Sequence, residues 1–86
     1  MQQQIRQFIL TSYLFTKDDS QLKDDESLLD RGIIDSTGVL ELVWFLDETF
    51  GVKVADEELL PENLDSVNRI VAFIERKRQN AGIAAA

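Results

Sequence analysis

Three segments of the chain repeat apolar residues at intervals of three and four positions, and this spacing constrains the fold more than any other feature. Residues at these intervals share one face of an α-helix, whereas a half-buried strand would alternate apolar and polar residues. We therefore predict helices over about residues 2–15, about residues 35–51 and from about residue 65 onward. Their apolar faces comprise Ile5, Phe8, Ile9 and Tyr13, then Val39, Leu42, Val43, Leu46 and Phe50, and finally Val67, Ile70, Val71 and Ile74.

The residues at the ends of these segments support the assignment. Asp35 and Ser36 are good N-cap residues, and Gly51 suits the left-handed conformation that follows a helix C-terminus. The acidic segment 56–60 predicts a further short helical turn, which Pro61 is expected to stop. Three longer helices and one short helix predict an all-α fold, a four-helix bundle with a long first loop.

The length of 86 residues permits one small domain. We assign residues 1–80 to it and expect residues 81–86, which show no pattern for packing, to fray. An apolar content of 44% is ordinary for a globular protein and argues against disorder. The acidic loop between the first and second predicted helices, called the first loop, ends in the aliphatic residues Leu28, Leu29, Ile33 and Ile34. These residues should pack against the core and hold the loop there.

The chain contains no Cys and no His, which excludes most self-contained chemistry. Thiol catalysis, disulfides and the usual zinc sites need these residues, and the acidic residues do not have calcium-loop spacing, so no metal site is expected. No apolar run approaches the roughly 18 residues of a membrane span, and residues 1–4 do not resemble the start of a signal peptide. These features predict a soluble, cytoplasmic protein without membrane insertion.

Charge is distributed unevenly along the chain. Residues 18–65 hold 15 acidic and three basic residues, a local charge of −12, whereas the whole chain carries −7. Phosphate backbones bind clustered Lys and Arg, so nucleic acid is excluded as a partner. The acidic centre instead favours partners with basic surfaces.

Ser36 occupies the point where the acidic loop becomes the second helix. Its hydroxyl is expected beside backbone N–H groups that lack intrahelical acceptors and near the positive end of the helix dipole. An attached phosphate would be favoured there. The same residue types also fit a simpler role, in which Asp35 or Ser36 only caps the helix.

The residues that follow Ser36 form the most specific pattern in the chain. The pattern consists of Asp35-Ser36, Val39, Glu41-Leu42-Val43, Leu46 and Phe50-Gly51, and the similarity extends from Asp25-Glu26-Ser27-Leu28 to Phe73-Ile74. It resembles the attachment motif and second helix of the acyl carrier proteins and the related peptidyl carrier domains. The resemblance implies a four-helix bundle in which Ser36 carries 4′-phosphopantetheine, installed from coenzyme A by a phosphopantetheinyl transferase. An acyl or aminoacyl group would then be held as a thioester on the arm, and Asp35 would serve in capping and in recognition by the transferase.

The outward face of the second helix is predicted to expose Leu40 and Trp44 between acidic residues. This face comprises Thr37, Leu40, Glu41, Trp44 and Glu48, with Asp47 beside it. Leu40 and Trp44 could anchor partner enzymes, while Glu41, Asp47 and Glu48 attract their basic surfaces. Alternatively, Trp44 folds back over the first loop or packs on the first helix.

In the family that the chain resembles, core aliphatic residues also line a cleft that can shelter the cargo. The candidates here are Val39, Leu46, Phe50, Leu59, Ile70 and Val71. Each of these residues would equally serve in ordinary core packing, and the apolar lining alone does not distinguish the two roles.

The chain departs from the carriers of primary fatty acid synthesis, which typically have Leu and Asp after the serine where this chain has Thr37 and Gly38. We therefore predict a specialised, stand-alone, monomeric carrier for lipid or specialised-metabolite synthesis, served by a dedicated ligase, synthase or acyltransferase. The alternative is an unmodified helical module that binds a basic partner through Leu40 and Trp44. A serine hydrolase is disfavoured because no His is available as the base.

Overall fold

The computed structural model describes residues 1–35 and 37–85, with side chains through residue 79. Four α-helices follow one another: α1 (Gln2–Ser12), α2 (Gly38–Phe50), α3 (Pro61–Leu64) and α4 (Val67–Ala85). Two 3₁₀ turns, at Asp19–Gln21 and Asp56–Glu58, lie in the loops after α1 and α2. Within the described residues there is no β-strand, and the predicted all-α four-helix fold is confirmed.

The helix α1 ends three residues earlier than the periodicity predicts. Tyr13 is the C-cap residue, and Phe15 adopts a left-handed backbone conformation with φ of 54°, which a helix cannot continue through. The amide of Thr16 donates to the carbonyl oxygen of Leu10 at 3.0 Å and closes this end. Gly51 does follow α2 in the left-handed conformation, with φ of 69°, as predicted.

The prediction that Pro61 stops the short acidic helix is wrong. Pro61 is the first residue of α3, a position that tolerates proline because the N–H it lacks has no intrahelical acceptor there. The acidic segment before it forms only a 3₁₀ turn, Asp56–Glu58. The carboxylate of Glu58 accepts a hydrogen bond from the amide of Ala55 at 2.9 Å and closes that turn.

The core lies where the three longer helices and the first loop meet. The fully buried side chains are Ile5, Ile9, Leu10, Leu28, Leu42, Leu46, Val67, Ile70 and Ile74. Of the predicted core face of α2, Leu42 and Leu46 are completely buried, whereas Val39, Val43 and Phe50 are half-buried. The ring of Phe8 stacks on that of Phe45 with centroids 4.1 Å apart and joins α1 to α2.

The first loop is fastened to α1 and to the start of α4. Of the four aliphatic residues expected to hold it against the core, Leu28 and Ile34 are buried and Ile33 is half-buried, but Leu29 is 47% exposed, so the expectation is wrong for Leu29. The amide of Leu28 donates to the carbonyl oxygen of Asp65 at 2.7 Å, and the hydroxyl of Ser27 donates to the carboxylate of Asp65 at 2.6 Å. On the other side, Arg6 of α1 forms ion pairs with Asp19 and Asp24. The loop that leads to α2 is therefore held between α1 and the start of α4.

The C-terminal end of the chain is helical in its backbone through Ala85. The side chains of residues 80–85 and the whole of Ala86 lie outside the described residues. The fraying expected for residues 81–86 therefore stays a prediction.

One ion pair between the 3₁₀ turn and α4 should make stability depend on pH. Lys77 Nζ donates to Glu58 Oε1 at 2.8 Å, and this bond, with the amide of Ala55, holds the pKa of Glu58 below its usual value. A carboxylate with a lowered pKa in the folded state stabilises it above the unfolded pKa, and the contribution disappears as pH falls through the folded pKa. Glu58→Gln should therefore lower stability at pH 7 by less than about 1 kcal/mol.

Thermal unfolding of the wild type and Glu58→Gln at pH 7 and at about pH 3 tests this prediction. The difference in stability between the two proteins should shrink at the lower pH. Glu57→Gln, in the same turn, is the matched control and should show little difference at either pH. A difference for Glu58→Gln that is equal at both pH values would contradict the assignment.

Candidate functional site

Ser36, the predicted attachment residue, lies outside the described residues, but its neighbours on both sides are described. Ile34 is buried and anchors the end of the first loop, while Asp35 and Thr37 are exposed. The helix α2 begins two residues after Ser36, at Gly38. The chain therefore leaves the core after Ile34, and the described residues Asp35 and Thr37 are exposed before the helix begins.

Asp35 caps α2, as predicted. Its Oδ1 accepts hydrogen bonds from the amides of Thr37 at 3.1 Å and Gly38 at 2.6 Å. The amide of Val39 donates to the carbonyl oxygen of Asp35 at 3.0 Å, and the amide of Leu40 donates to that of Thr37 at 3.2 Å. Among the described residues, the first amides of α2 thus all have acceptors within the chain.

The N–H groups of Thr37 and Gly38, which were expected to lack intrahelical acceptors, donate to the side chain of Asp35. A phosphate attached to Ser36 would meet the positive end of the helix dipole and solvent, while the amides of Thr37 and Gly38 already bind Asp35. Asp35 and Thr37, the described residues on either side of Ser36, are open to solvent.

An open cavity of about 350 Å³ borders Asp35. It lies between the end of the first loop, the first turn of α2 and the α3 region, and apolar side chains provide most of its surface. The lining residues are Leu28, Leu29, Ile34, Asp35, Val39, Leu59, Leu60, Pro61, Leu64 and Asp65. We call this cavity the loop groove.

The candidates for a cargo cleft divide into three groups. Val39 and Leu59 line the loop groove. Leu46 and Ile70 have no exposed surface and belong to the core. The remaining candidates, Phe50 and Val71, are half-buried and do not line the loop groove. The contribution of the first loop was not predicted, because helical periodicity gives no information about which helix a loop covers.

The outward face of α2 is exposed, as predicted. The side chain of Leu40 is 59% exposed and that of Trp44 is 63% exposed, which contradicts the alternative in which Trp44 folds over the loop or onto α1. Glu41 and Glu48 are also exposed on this helix. Asp47 differs from them, because its carboxylate lies 3.5 Å from Lys53 Nζ in an ion pair. We call Leu40, Glu41, Trp44 and Glu48 the outer face.

Tyr13 is a residue near the site that the sequence assigned only to the apolar face of α1. Its hydroxyl donates to the carbonyl oxygen of Gly38 at 2.5 Å. Burial raises the pKa of Tyr13 to about 12, and the nearby carboxylates of Glu41 and Asp35 act in the same direction. The hydroxyl is therefore protonated at neutral pH and acts as the donor.

Two further properties bear on the possible chemistry of the described part of the chain. Over residues 1–35 and 37–79, no three acidic side chains come together in a group that could hold a metal ion. No helix in the described ranges combines the length and apolar character needed to cross a membrane.

Comparison with known proteins identifies the family. The sequence profile of the family described as "Phosphopantetheine attachment site" matches residues 14–74, which include the first loop, α2, α3 and the first turns of α4. This chain belongs to the phosphopantetheine-binding carrier family. The cofactor of the carrier is therefore covalently attached 4′-phosphopantetheine. Carrier proteins are generally non-catalytic, and membership implies a modifying transferase and partner ligases or synthetases.

The relatives include two carriers that the match covers over most of their length. The carrier is 41% identical over 68 residues to the D-alanyl carrier protein of Streptococcus uberis, a match covering 79% of this chain and 84% of the relative. It is 39% identical over 62 residues to the D-alanyl carrier protein of Streptococcus pyogenes serotype M5, covering 72% and 77% of the two chains.

Among solved structures, the fold is similar to a chain in one described as "Crystal structure of FAD-dependent dehydrogenase". The TM-score is 0.72 at 30% sequence identity, and the match covers 81% of the carrier and 97% of that chain. The four-helix fold of this chain is therefore already known among solved structures.

Proposed function

We propose that the carrier holds a small aminoacyl group as a thioester on 4′-phosphopantetheine attached to Ser36. The proposed class of cargo is supported by one observation: over 79% of its length, the chain is 41% identical in sequence to a D-alanyl carrier protein. The Thr37-Gly38 pair after the serine, unlike the Leu-Asp pair typical of primary fatty acid synthesis, agrees with a specialised role. The partners are then a phosphopantetheinyl transferase, a dedicated aminoacyl-activating ligase and an enzyme that receives the aminoacyl group.

The surroundings of three of the other serines, Ser20, Ser27 and Ser66, favour Ser36 over them as the attachment residue. The hydroxyl of Ser20 donates to Asp18 at 2.7 Å, and that of Ser27 donates to Asp65 at 2.6 Å. Ser66 is buried and accepts a hydrogen bond from the amide of Arg69. Each of these hydroxyls has a structural role within the fold, whereas Ser36 is flanked by exposed residues at the family's motif position.

The attached group supplies the thiol that a chain without Cys lacks. Asp35 then has two roles, since it caps α2 and presents a carboxylate beside Ser36 to the transferase. The loop groove begins at Asp35, so an arm attached to the next residue can lie against its apolar wall. We assign Val39 and Leu59 to that contact, because they are the two cleft candidates that line the groove.

We propose the outer face as the surface that docks partner enzymes. Leu40 and Trp44 are one helical turn apart and are both more than half exposed, so they can enter a partner's pocket together. Exposed large apolar side chains, with Trp prominent among them, are the common anchors of protein interfaces. The acidic residues Glu41 and Glu48 flank them and favour a partner with a basic rim.

Trp44→Ala should therefore weaken the use of the carrier by its transferase and ligase without unfolding it. We expect kcat/KM to fall by about 10- to 30-fold, the loss typical of an interface anchor. Stability should change by no more than about 0.5 kcal/mol because the side chain is exposed. Steady-state kinetics with the carrier as the varied substrate measure the first quantity, and thermal unfolding measures the second.

Phe15→Ala provides a matched control for Trp44→Ala. Phe15 is also an exposed aromatic residue, at 85% exposure, but it lies in the first loop and is not part of the outer face. Its removal should leave kcat/KM near the wild-type value. Equal losses in the two variants, or no loss in either, would contradict the assignment of docking to the outer face.

Mass spectrometry of the protein isolated from its native host tests the proposed function directly. The intact mass should show a phosphopantetheine adduct, and hydroxylamine should release an amino acid hydroxamate from the thioester. Release of a fatty acyl hydroxamate would overturn the aminoacyl assignment and favour lipid synthesis. A protein that stays unmodified throughout growth and after incubation with coenzyme A and a broad-specificity transferase would overturn attachment itself and favour the unmodified interaction module.

A further inference from the structure

A contact between the end of α1 and the start of α2 sits directly beside the modified segment. Tyr13 is the C-cap residue of α1, and its hydroxyl donates to the carbonyl oxygen of Gly38, 25 residues later in the chain, at 2.5 Å. Gly38 is the first residue of α2 and lies two positions after Ser36. The hydrogen bond therefore fixes the first turn of the helix from the side of α1.

The ring of Tyr13 is itself held in place by packing. It meets the ring of Phe8 edge to face, with centroids 5.7 Å apart, and Phe8 stacks on Phe45 of α2 at 4.1 Å. Tyr13 is half-buried in this position. The aromatic contacts orient the hydroxyl, so the bond to Gly38 does not depend on a freely rotating side chain.

Gly38 explains how the two groups come so close. A Cβ atom on this residue would lie 3.2 Å from Cε1 of Tyr13 and 3.2 Å from Oδ1 of Asp35. Both distances are shorter than ordinary van der Waals contact, so a side chain at this position would displace the tyrosine ring or the capping carboxylate. Glycine is a poor helix former, and its presence in the first turn fits a requirement for this close approach.

We propose that Tyr13, acting through Gly38, is a positioning residue that presents Ser36 to the phosphopantetheinyl transferase. Asp35 binds the amides of Thr37 and Gly38, and Tyr13 binds the carbonyl oxygen of Gly38 from the opposite end of that residue. The backbone next to Ser36 is thus fixed by two side chains, one local and one from α1. This inference rests on the proposed attachment at Ser36, and Tyr13 acts through its hydrogen bond to Gly38.

Tyr13→Phe is the direct test because it removes the hydroxyl and keeps the ring and its contact with Phe8. With the transferase and coenzyme A, we expect kcat to fall by about three- to tenfold, the effect of losing one neutral hydrogen bond. The KM for the carrier should change little, since the outer face is intact. Amide hydrogen exchange at Gly38 and Val39 should become faster, which reports the loosened first turn.

A matched control removes a hydroxyl that bonds only within α1. Thr11 donates to the carbonyl oxygen of Gln7 at 2.8 Å, so Thr11→Ala should leave kcat, KM and the exchange at Gly38 unchanged. Because Thr11 lies two residues before Tyr13, this control also detects any general loosening of α1.

Gly38→Ala provides a second test, in which helix propensity and positioning predict opposite results. Alanine favours helix formation, so a purely local effect would tighten the first turn and leave kcat intact. Our inference predicts a lower kcat because the new methyl group displaces the Tyr13 ring. Adding Gly38→Ala to Tyr13→Ala should then cost less than adding it to the wild type, since the ring is gone and only the contact with Asp35 remains.

The outcomes separate this inference from the proposed function. Failure of the wild type to accept the phosphopantetheine group would overturn attachment at Ser36. A modified wild type, together with Tyr13→Phe that has wild-type kcat, would overturn the positioning role alone. A lower melting temperature for Tyr13→Phe with unchanged kcat at a temperature where it is folded would also overturn it, since the role would then be only structural.

Discussion

Replacing Ser36 with alanine should abolish the phosphopantetheine adduct completely and leave the fold almost unchanged. The first result follows because Ser36 occupies the family's motif position, whereas the hydroxyls of Ser20 and Ser27 bond within the fold. The second follows because the cap of α2 is the carboxylate of Asp35, which binds the amides of Thr37 and Gly38. Intact mass after incubation with coenzyme A and a transferase measures modification, and thermal unfolding measures stability.

Two variants complete that experiment. Ser20→Ala removes an exposed loop hydroxyl and should be modified like the wild type. Asp35→Ala removes the cap, so it should lower stability by about 1 kcal/mol and slow the modification without moving it to another residue. An adduct of full yield on Ser36→Ala would contradict attachment at this residue and direct the search to other hydroxyls.

The helices and most of the core were predictable because they depend on local periodicity. Leu42 and Leu46 of α2 and Ile70 and Ile74 of α4 lie on predicted apolar faces and are fully buried. The exposure of Trp44 followed from the same helical periodicity, since Trp44 lies on the side of α2 opposite to its apolar face. A helical wheel identifies which face of a helix is apolar, and burial of that face is enough to give the fold class.

What could not be predicted depends on contacts between distant residues. Tyr13 and Gly38 are 25 residues apart, and nothing in the spacing of either residue indicates that they bond. The loop groove combines the end of the first loop with the α3 region. Of the cleft candidates that the family resemblance implied, Val39 lines this groove, whereas Ile70 lies in the core. Pro61 shows the same limit, because proline fits both after a helix and at its first position.

Leu42→Ala should cause a large loss of stability, as expected for a fully buried residue of α2. The side chain has no exposed surface and belongs to the hydrophobic core, so its truncation removes buried apolar surface and leaves a cavity. Substitutions of this kind cost about 2–5 kcal/mol. Small domains are stable by about 5–15 kcal/mol, so the variant should retain only part of its stability. Urea denaturation should show a lower midpoint with little change in slope.

Leu40→Ala is the matched control, since the same residue type is truncated two positions earlier in the same helix. Leu40 is 59% exposed, so its loss should change stability by no more than about 0.5 kcal/mol. Each assay should therefore detect a different variant. Leu42→Ala should lose stability, and folded Leu40→Ala should lose kcat/KM with the transferase. Equal destabilisation by both variants would mean that Leu40 is part of the core, and the outer face would then have to be redefined around Trp44 alone.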